Sequence, residues 1–177
     1  MSFEQLWEQL IIEGSLEQFL RGSKVKHPVY HGTIAKFDKF KHGKGGGDLG
    51  IHFGTRDQAE DRIHAKGFDT YREEPEPHMI RKVYLSLTNP IKTRDAGGWQ
   101  FPKKVKQVIE DAGVKIDTET IPDRNYSSEE NAAAIKLIRA ELVAKGYDGV
   151  IYSNTAERAG TSYIVFSPDQ IRPAEER

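Results

Sequence analysis

The sequence predicts an α+β domain, a mostly antiparallel β-sheet flanked by helices and preceded by a short helical extension. Brief β-branched or aromatic runs recur along the chain, at Val29-Tyr30-His31-Gly32-Thr33, Gly50 to Thr55, Arg81 to Thr88, Tyr147 to Tyr152 and Ser162 to Phe166. Between them lie segments with apolar residues at helical spacing, opened by Ser or Thr and closed by glycine. No repeat, linker or long low-complexity tract divides the 177 residues, a length that suits one domain with its own core. The expected division is a helical extension over residues 1–23 and one domain over 24–177.

The elements follow in order. Ser2 and Gln5 read as a capping box for a first helix, with Phe3, Leu6, Trp7, Leu10 and Ile11 as its apolar stripe. Gly14 is expected to break that helix, with Ser15 and Gln18 capping a second short one up to Gly22. The opening strand ends in a His-Gly-Thr corner and is expected to pair with Gly50 to Thr55. Histidines, glycines and hydroxyls interrupting such strands suit the lining of a pocket. From Ile34 to Phe40, Phe37 and Phe40 alternate with outward lysines in a half-buried loop or short helix.

Gly45, Gly47 and Gly50 formally match G-x-G-x-x-G, yet a strand follows where a dinucleotide fingerprint needs a helix, so a loop at the pocket rim fits better. Thr55 with Gln58 reads as a capping box, and the backbone N–H groups beside Thr55 are placed to meet an anion. Val83, Leu85 and Leu87 alternate with Tyr84, Ser86 and Thr88, and Asn89-Pro90 ends this strand. Gly97-Gly98 marks a turn. Pro102 starts a helix through Val105, Val108 and Ile109, and Ser127 with Glu130 caps another carrying Ala134, Ile135, Ile138 and Leu142. Tyr147 to Tyr152 is then a buried strand, Asn154 to Gly160 a polar loop and Ser162 to Phe166 the last strand.

Composition narrows the chemistry. Lys plus Arg number 26 against 27 Asp plus Glu, so no global field points to nucleic acid or anionic lipid. With no cysteine there is no disulfide, thiolate nucleophile or thiolate metal site, and a cytoplasmic setting is expected. No apolar run approaches the roughly 20 residues needed to span a bilayer. There is no H-E-x-x-H, no G-x-S-x-G and no Gly-Lys-Ser/Thr phosphate loop, so neither metal nor nucleophilic serine is predicted.

Tyr30-His31-Gly32-Thr33, followed about twenty residues later by Gly50-Ile51-His52-Phe53-Gly54-Thr55 and Gln58-Ala59, resembles the first two motifs of ADP-ribosyltransferases of the diphtheria-toxin and poly(ADP-ribose) polymerase type. Gly146 to Tyr152, then Asn154, Glu157 and Ser162 to Ile171, is similar to the third. In flavour the match is to the branch found in phages and mobile elements. The resemblance implies the split form of the sheet and NAD as substrate.

It also implies roles. His31 would bond a ribose hydroxyl, and Gly32 would offer its backbone to the nicotinamide carboxamide, with Tyr30 and Thr33 beside them. His52, with Phe53 next to it, stands where an aromatic stacks on nicotinamide. Ser162 occupies the place of the glutamate that stabilises the oxocarbenium-like transition state. Glu157 is the nearest carboxylate able to replace it, the plainer alternative being a solvated residue next to Arg158.

The implied function is NAD-dependent mono-ADP-ribosyl transfer to a macromolecule, a protein acceptor being favoured over nucleic acid. For a phage-encoded protein the setting would be the host cytoplasm. The alternative is a catalytically inactive module of the same fold that binds a nucleotide or a protein partner.

Overall fold

The structure, a computed structural model, describes residues 2, 5, 14–41, 47–117 and 127–174. Among the described residues seven strands form two sheets. β1 (Val29–Gly32), β3 (Ile80–Leu85) and β7 (Ile171–Pro173) make a three-stranded sheet in the order β1-β3-β7. β2 (Ile51–Phe53), β6 (Gly160–Val165), β5 (Gly149–Asn154) and β4 (Ile91–Arg94) make a four-stranded one in the order β2-β6-β5-β4. Every pairing is antiparallel except β4 with β5, which is parallel.

The expected pairing of the first two strands is reduced to one bridge. β1 spends its register on β3, Val29 opposite Val83 and His31 opposite Arg81, while β2 pairs with β6. Among the described residues the one β-bridge between the sheets is where Tyr30 and Gly54 exchange two backbone hydrogen bonds of 2.9 Å. A split sheet results, with a seam between β1 and β2.

Two hydrophobic cores explain the two sheets. α3 (Pro102–Asp111) and α4 (Ser128–Ala144) cover one face of the larger sheet, where Val105, Ile109, Ile135, Ile138 and Leu142 meet Ile91, Val150 and Ile164. The second core lies between the sheets and joins Val29, Val83 and Leu85 to Ile51, Phe53, Tyr163 and Val165. Strand periodicity assigns successive residues of β6 to opposite faces, so Ile164 serves the first core and Tyr163 and Val165 the second. The boxes at Thr55 and Ser127 form as predicted, capping α2 (Arg56–His64) and α4.

Some expectations change. β4 and β7 were not expected; each is short, and pairing with a long neighbour defines it better than any run of its own. Ser2 and Gln5 do exchange capping hydrogen bonds of 2.8 and 3.2 Å, while Phe3, Leu6, Trp7, Leu10 and Ile11 lie outside the described residues. Residues 14–19 are all helical and form α1, and the residues before Gly14, on which its expected break depends, lie outside the described residues. Ser15 is therefore not an N-cap, and its hydroxyl instead accepts from Arg172 at 2.7 Å. The segment behind α1 is tied to β3 through buried Ser23, whose hydroxyl donates to the Leu85 carbonyl at 2.8 Å and accepts from the Leu87 N–H at 3.1 Å. Residues 42–46 of the glycine-rich stretch and 118–126 also lie outside the described residues.

Candidate active site

The seam opens into a cleft of about 1370 Å³. β1 supplies Tyr30, His31 and Gly32, β2 supplies His52, β5 supplies Tyr152 and Asn154, and the loop after β5 supplies Glu157. Of the residues predicted for the site, the structure brings together Tyr30, His31, Gly32, His52, Phe53, Glu157 and Ser162 around this space. Thr33 is not among its walls; its hydroxyl accepts from the Ala35 N–H at 3.1 Å and shapes the turn after β1.

His31 is fixed by the neighbouring strand. Its Nδ1 lies 2.8 Å from the carbonyl oxygen of His52, and because a carbonyl only accepts, Nδ1 carries the proton. Burial lowers the His31 pKa against the pull of that hydrogen bond, and the Arg62 and Arg81 charges add to the lowering. The ring is thus a neutral imidazole whose Nε2 is left as an acceptor.

His52 and Phe53 part ways as adjacent strand residues must. Phe53 is only 3% exposed and sits in the core between the sheets, its ring 5.5 Å from His31 and 5.6 Å from Phe40. His52 turns to the other side, with ring centroids 6.4 Å from both Trp99 and Tyr152. Burial pushes its pKa down to about 4; Asp48 opposes this and Arg62 assists it. His52 Nε2 and Trp99 Nε1 are buried polar atoms with no hydrogen-bond partner among the described residues.

Packing also requires a glycine at position 32. A Cβ there would stand 2.2 Å from the carbonyl oxygen of Ala59, so the first turns of α2 press directly on β1. At the start of α2 the capping box takes up two backbone N–H groups, Thr55 N–H donating to Gln58 Oε1 at 2.9 Å and Gln58 N–H to Thr55 Oγ1 at 3.2 Å.

Ser162 is buried, 2% exposed, and its hydroxyl donates to Gln58 Oε1 at 3.0 Å and accepts from Asn154 Nδ2 at 3.0 Å, with the Tyr152 side chain a further polar neighbour. Glu157 is half-buried at the cleft wall. Its Oε2 accepts from Asn154 Nδ2 at 2.6 Å, and its Oε1 has no hydrogen-bond partner among the described residues. Asp95 pins the start of the same loop by accepting from the Thr155 N–H at 3.0 Å. Burial works to raise the Asp95 pKa, but the N–H groups of Thr155 and Gly97 outweigh it and hold the carboxyl below its usual range.

Trp99, Tyr152, Asp95, Gln58, Arg62 and Arg139 also line the cleft and were not among the site residues predicted from sequence. Trp99 had a signal, since it directly follows the Gly97-Gly98 turn, and Tyr152 ends the run Val150-Ile151-Tyr152. Arg139 had none; it reaches the cleft only because α4 packs there, half-buried, with its Nη1 3.4 Å from the Leu49 carbonyl.

A split antiparallel sheet with a polar cleft at the seam, walled by a strand histidine and a loop carboxylate, defines a domain of the ADP-ribosyltransferase type. The family model described as ADP-ribosyltransferase in polyvalent proteins matches residues 25–177, and the chain belongs to that family. No curated protein and no solved structure matches the chain. Among the described residues no helix is long and apolar enough to cross a membrane, and no cluster of three candidate metal ligands occurs.

Proposed function

We propose that the chain is a mono-ADP-ribosyltransferase that cleaves the nicotinamide–ribose bond of NAD in the seam cleft and transfers ADP-ribose to a macromolecular acceptor. The observation that carries this reading is that Glu157 and His31 line the same cleft, the carboxylate being held through one oxygen by Asn154. The acceptor nitrogen of His31 suits a ribose hydroxyl. His52, neutral at pH 7 and flanked by Trp99 and Tyr152, offers a planar face that does not repel a cationic nicotinamide ring.

Glu157 would hold a ribose hydroxyl and set negative charge beside the positive charge that develops as the glycosidic C–N bond breaks. The bonding electron pair departs with nicotinamide, and an acceptor nucleophile then bonds the ribose carbon and gives up its proton. Arg62 and Arg139 at the walls suit the diphosphate. The near-neutral net charge of −1 gives no general attraction to nucleic acid and favours a protein acceptor.

Nicotinamide release from NAD by the purified protein tests the reading, and Glu157→Gln is expected to lower it by roughly 10²–10³. Absence of release, together with no labelled transfer from NAD to lysate proteins, would remove it. A second reading rests on Ser162, buried and hydrogen-bonded where the resemblance places a carboxylate. On that reading the cleft binds a nucleotide or a protein partner without turnover, and Glu157→Gln would leave every measured property unchanged.

A further inference from the structure

A buried polar chain runs from α2 through β6 and β5 to Glu157, and its hydrogen-bond direction is fixed at both ends by backbone groups. At one end the Thr55 N–H donates to Gln58 Oε1 at 2.9 Å, and Gln58 Nε2 donates to the Arg158 carbonyl at 2.8 Å. These two contacts identify which side-chain atom of Gln58 is oxygen and which is nitrogen. At the other end Asn154 Oδ1 accepts from the N–H groups of Ala156 and Glu157 at 2.9 and 3.1 Å, so its nitrogen must face the opposite way.

The middle follows without freedom. The hydroxyl of Ser162 can only donate to Gln58 Oε1, and its oxygen accepts one Asn154 N–H. The second Asn154 N–H is thereby committed to Glu157 Oε2 at 2.6 Å. Space for the chain is cut into the backbone: a Cβ on Gly54 would stand 2.1 Å from Gln58 Oε1, and one on Gly160 would lie 3.1 Å from Gln58 Nε2. Gln58, Ser162 and Asn154 are all buried, so water does not substitute for a missing member.

We infer that Gln58, Ser162 and Asn154 are positioning residues that act through one another to present the Glu157 carboxylate to the cleft. The inference rests on the reading of Glu157 as the transition-state carboxylate. It assigns Ser162 a new part: the position that offers no carboxylate of its own orients one carried by the loop before it. Gln58 ties that loop to α2, which packs on β1 of the smaller sheet.

The test compares Ser162→Ala with Ser162→Thr. Loss of the hydroxyl breaks the chain, whereas Thr keeps it and adds a methyl, so a site that only needs filling would tolerate Ala better than Thr. With Ser162→Ala, nicotinamide release is expected to lose roughly 10- to 100-fold in kcat with KM changed less than about threefold, and Ser162→Thr to recover most of the loss. Amide exchange at Ala156 and Glu157, read without NAD, is expected to speed up about fivefold or more in Ser162→Ala and much less in Ser162→Thr.

Equal exchange in Ser162→Ala and wild type, with both variants melting as wild type does, overturns the inference. So does a Thr variant slower in turnover than the Ala variant. If the wild type releases no nicotinamide while exchange responds as described, the proposed function fails and the placement of Glu157 by Ser162 stands.

Discussion

His31 and His52 fold as neutral imidazoles, which makes acid pH destabilising in a defined window. In the unfolded chain each takes up a proton near pH 6.5, but burial holds the folded His52 unprotonated down to about pH 4. Between those values the unfolded state binds more protons, so stability rises with pH and is lost as pH falls from 6.5 towards 4. Urea midpoints measured from pH 7 to 4.5 are expected to fall, with a shallower fall in His52→Phe; equal slopes would mean that another group titrates. Gly32→Ala tests the close approach of α2 to β1. The added methyl meets the Ala59 carbonyl at 2.2 Å, backbone against backbone, and is expected to cost about 1–3 kcal/mol by thermal melting.

At the scale of elements, α4 shows which features hold the larger sheet. Leu142 is fully buried against that sheet and Leu137 is 50% exposed on the same helix. Leu142→Ala is expected to lose about 2–5 kcal/mol, whereas Leu137→Ala should change stability by less than about 0.5 kcal/mol. Denaturant unfolding followed by circular dichroism separates them. The same elements show what a sequence can disclose. The boxes at Thr55 and Ser127 and the alternation of Val83, Leu85 and Leu87 are local, and local patterns were sufficient to find them.

The pairing of β1 with β3 was not visible, because register depends on which distant strand competes best for the same edge. β4 and β7 carry too few residues to announce themselves. At the site, His31, Gly32 and Glu157 were found through motif order. Gln58 was legible only as a cap, and its second duty, reaching Ser162 and Arg158 more than 90 positions away, exists only in the folded chain.

For the whole molecule, ligand binding and stability are linked. A dinucleotide that binds only the folded state contributes about 2.7 kcal/mol at one hundred times its Kd, enough to raise the melting temperature of a domain this size by several degrees, about 2–4 °C for each kcal/mol. NAD is expected to produce that rise in the wild type and a smaller one in His31→Ala, read by differential scanning calorimetry. An equal rise in both would place the nucleotide away from β1.

The single bridge between Tyr30 and Gly54 gives this linkage a direction. Two sheets that share one core and, among the described residues, are joined by a single β-bridge and the His31–His52 hydrogen bond form a seam that a ligand can span. A substrate that touches His31 on one sheet and the Glu157 loop on the other would act as a cross-brace. Its grip would be felt as stiffness in strands it never contacts.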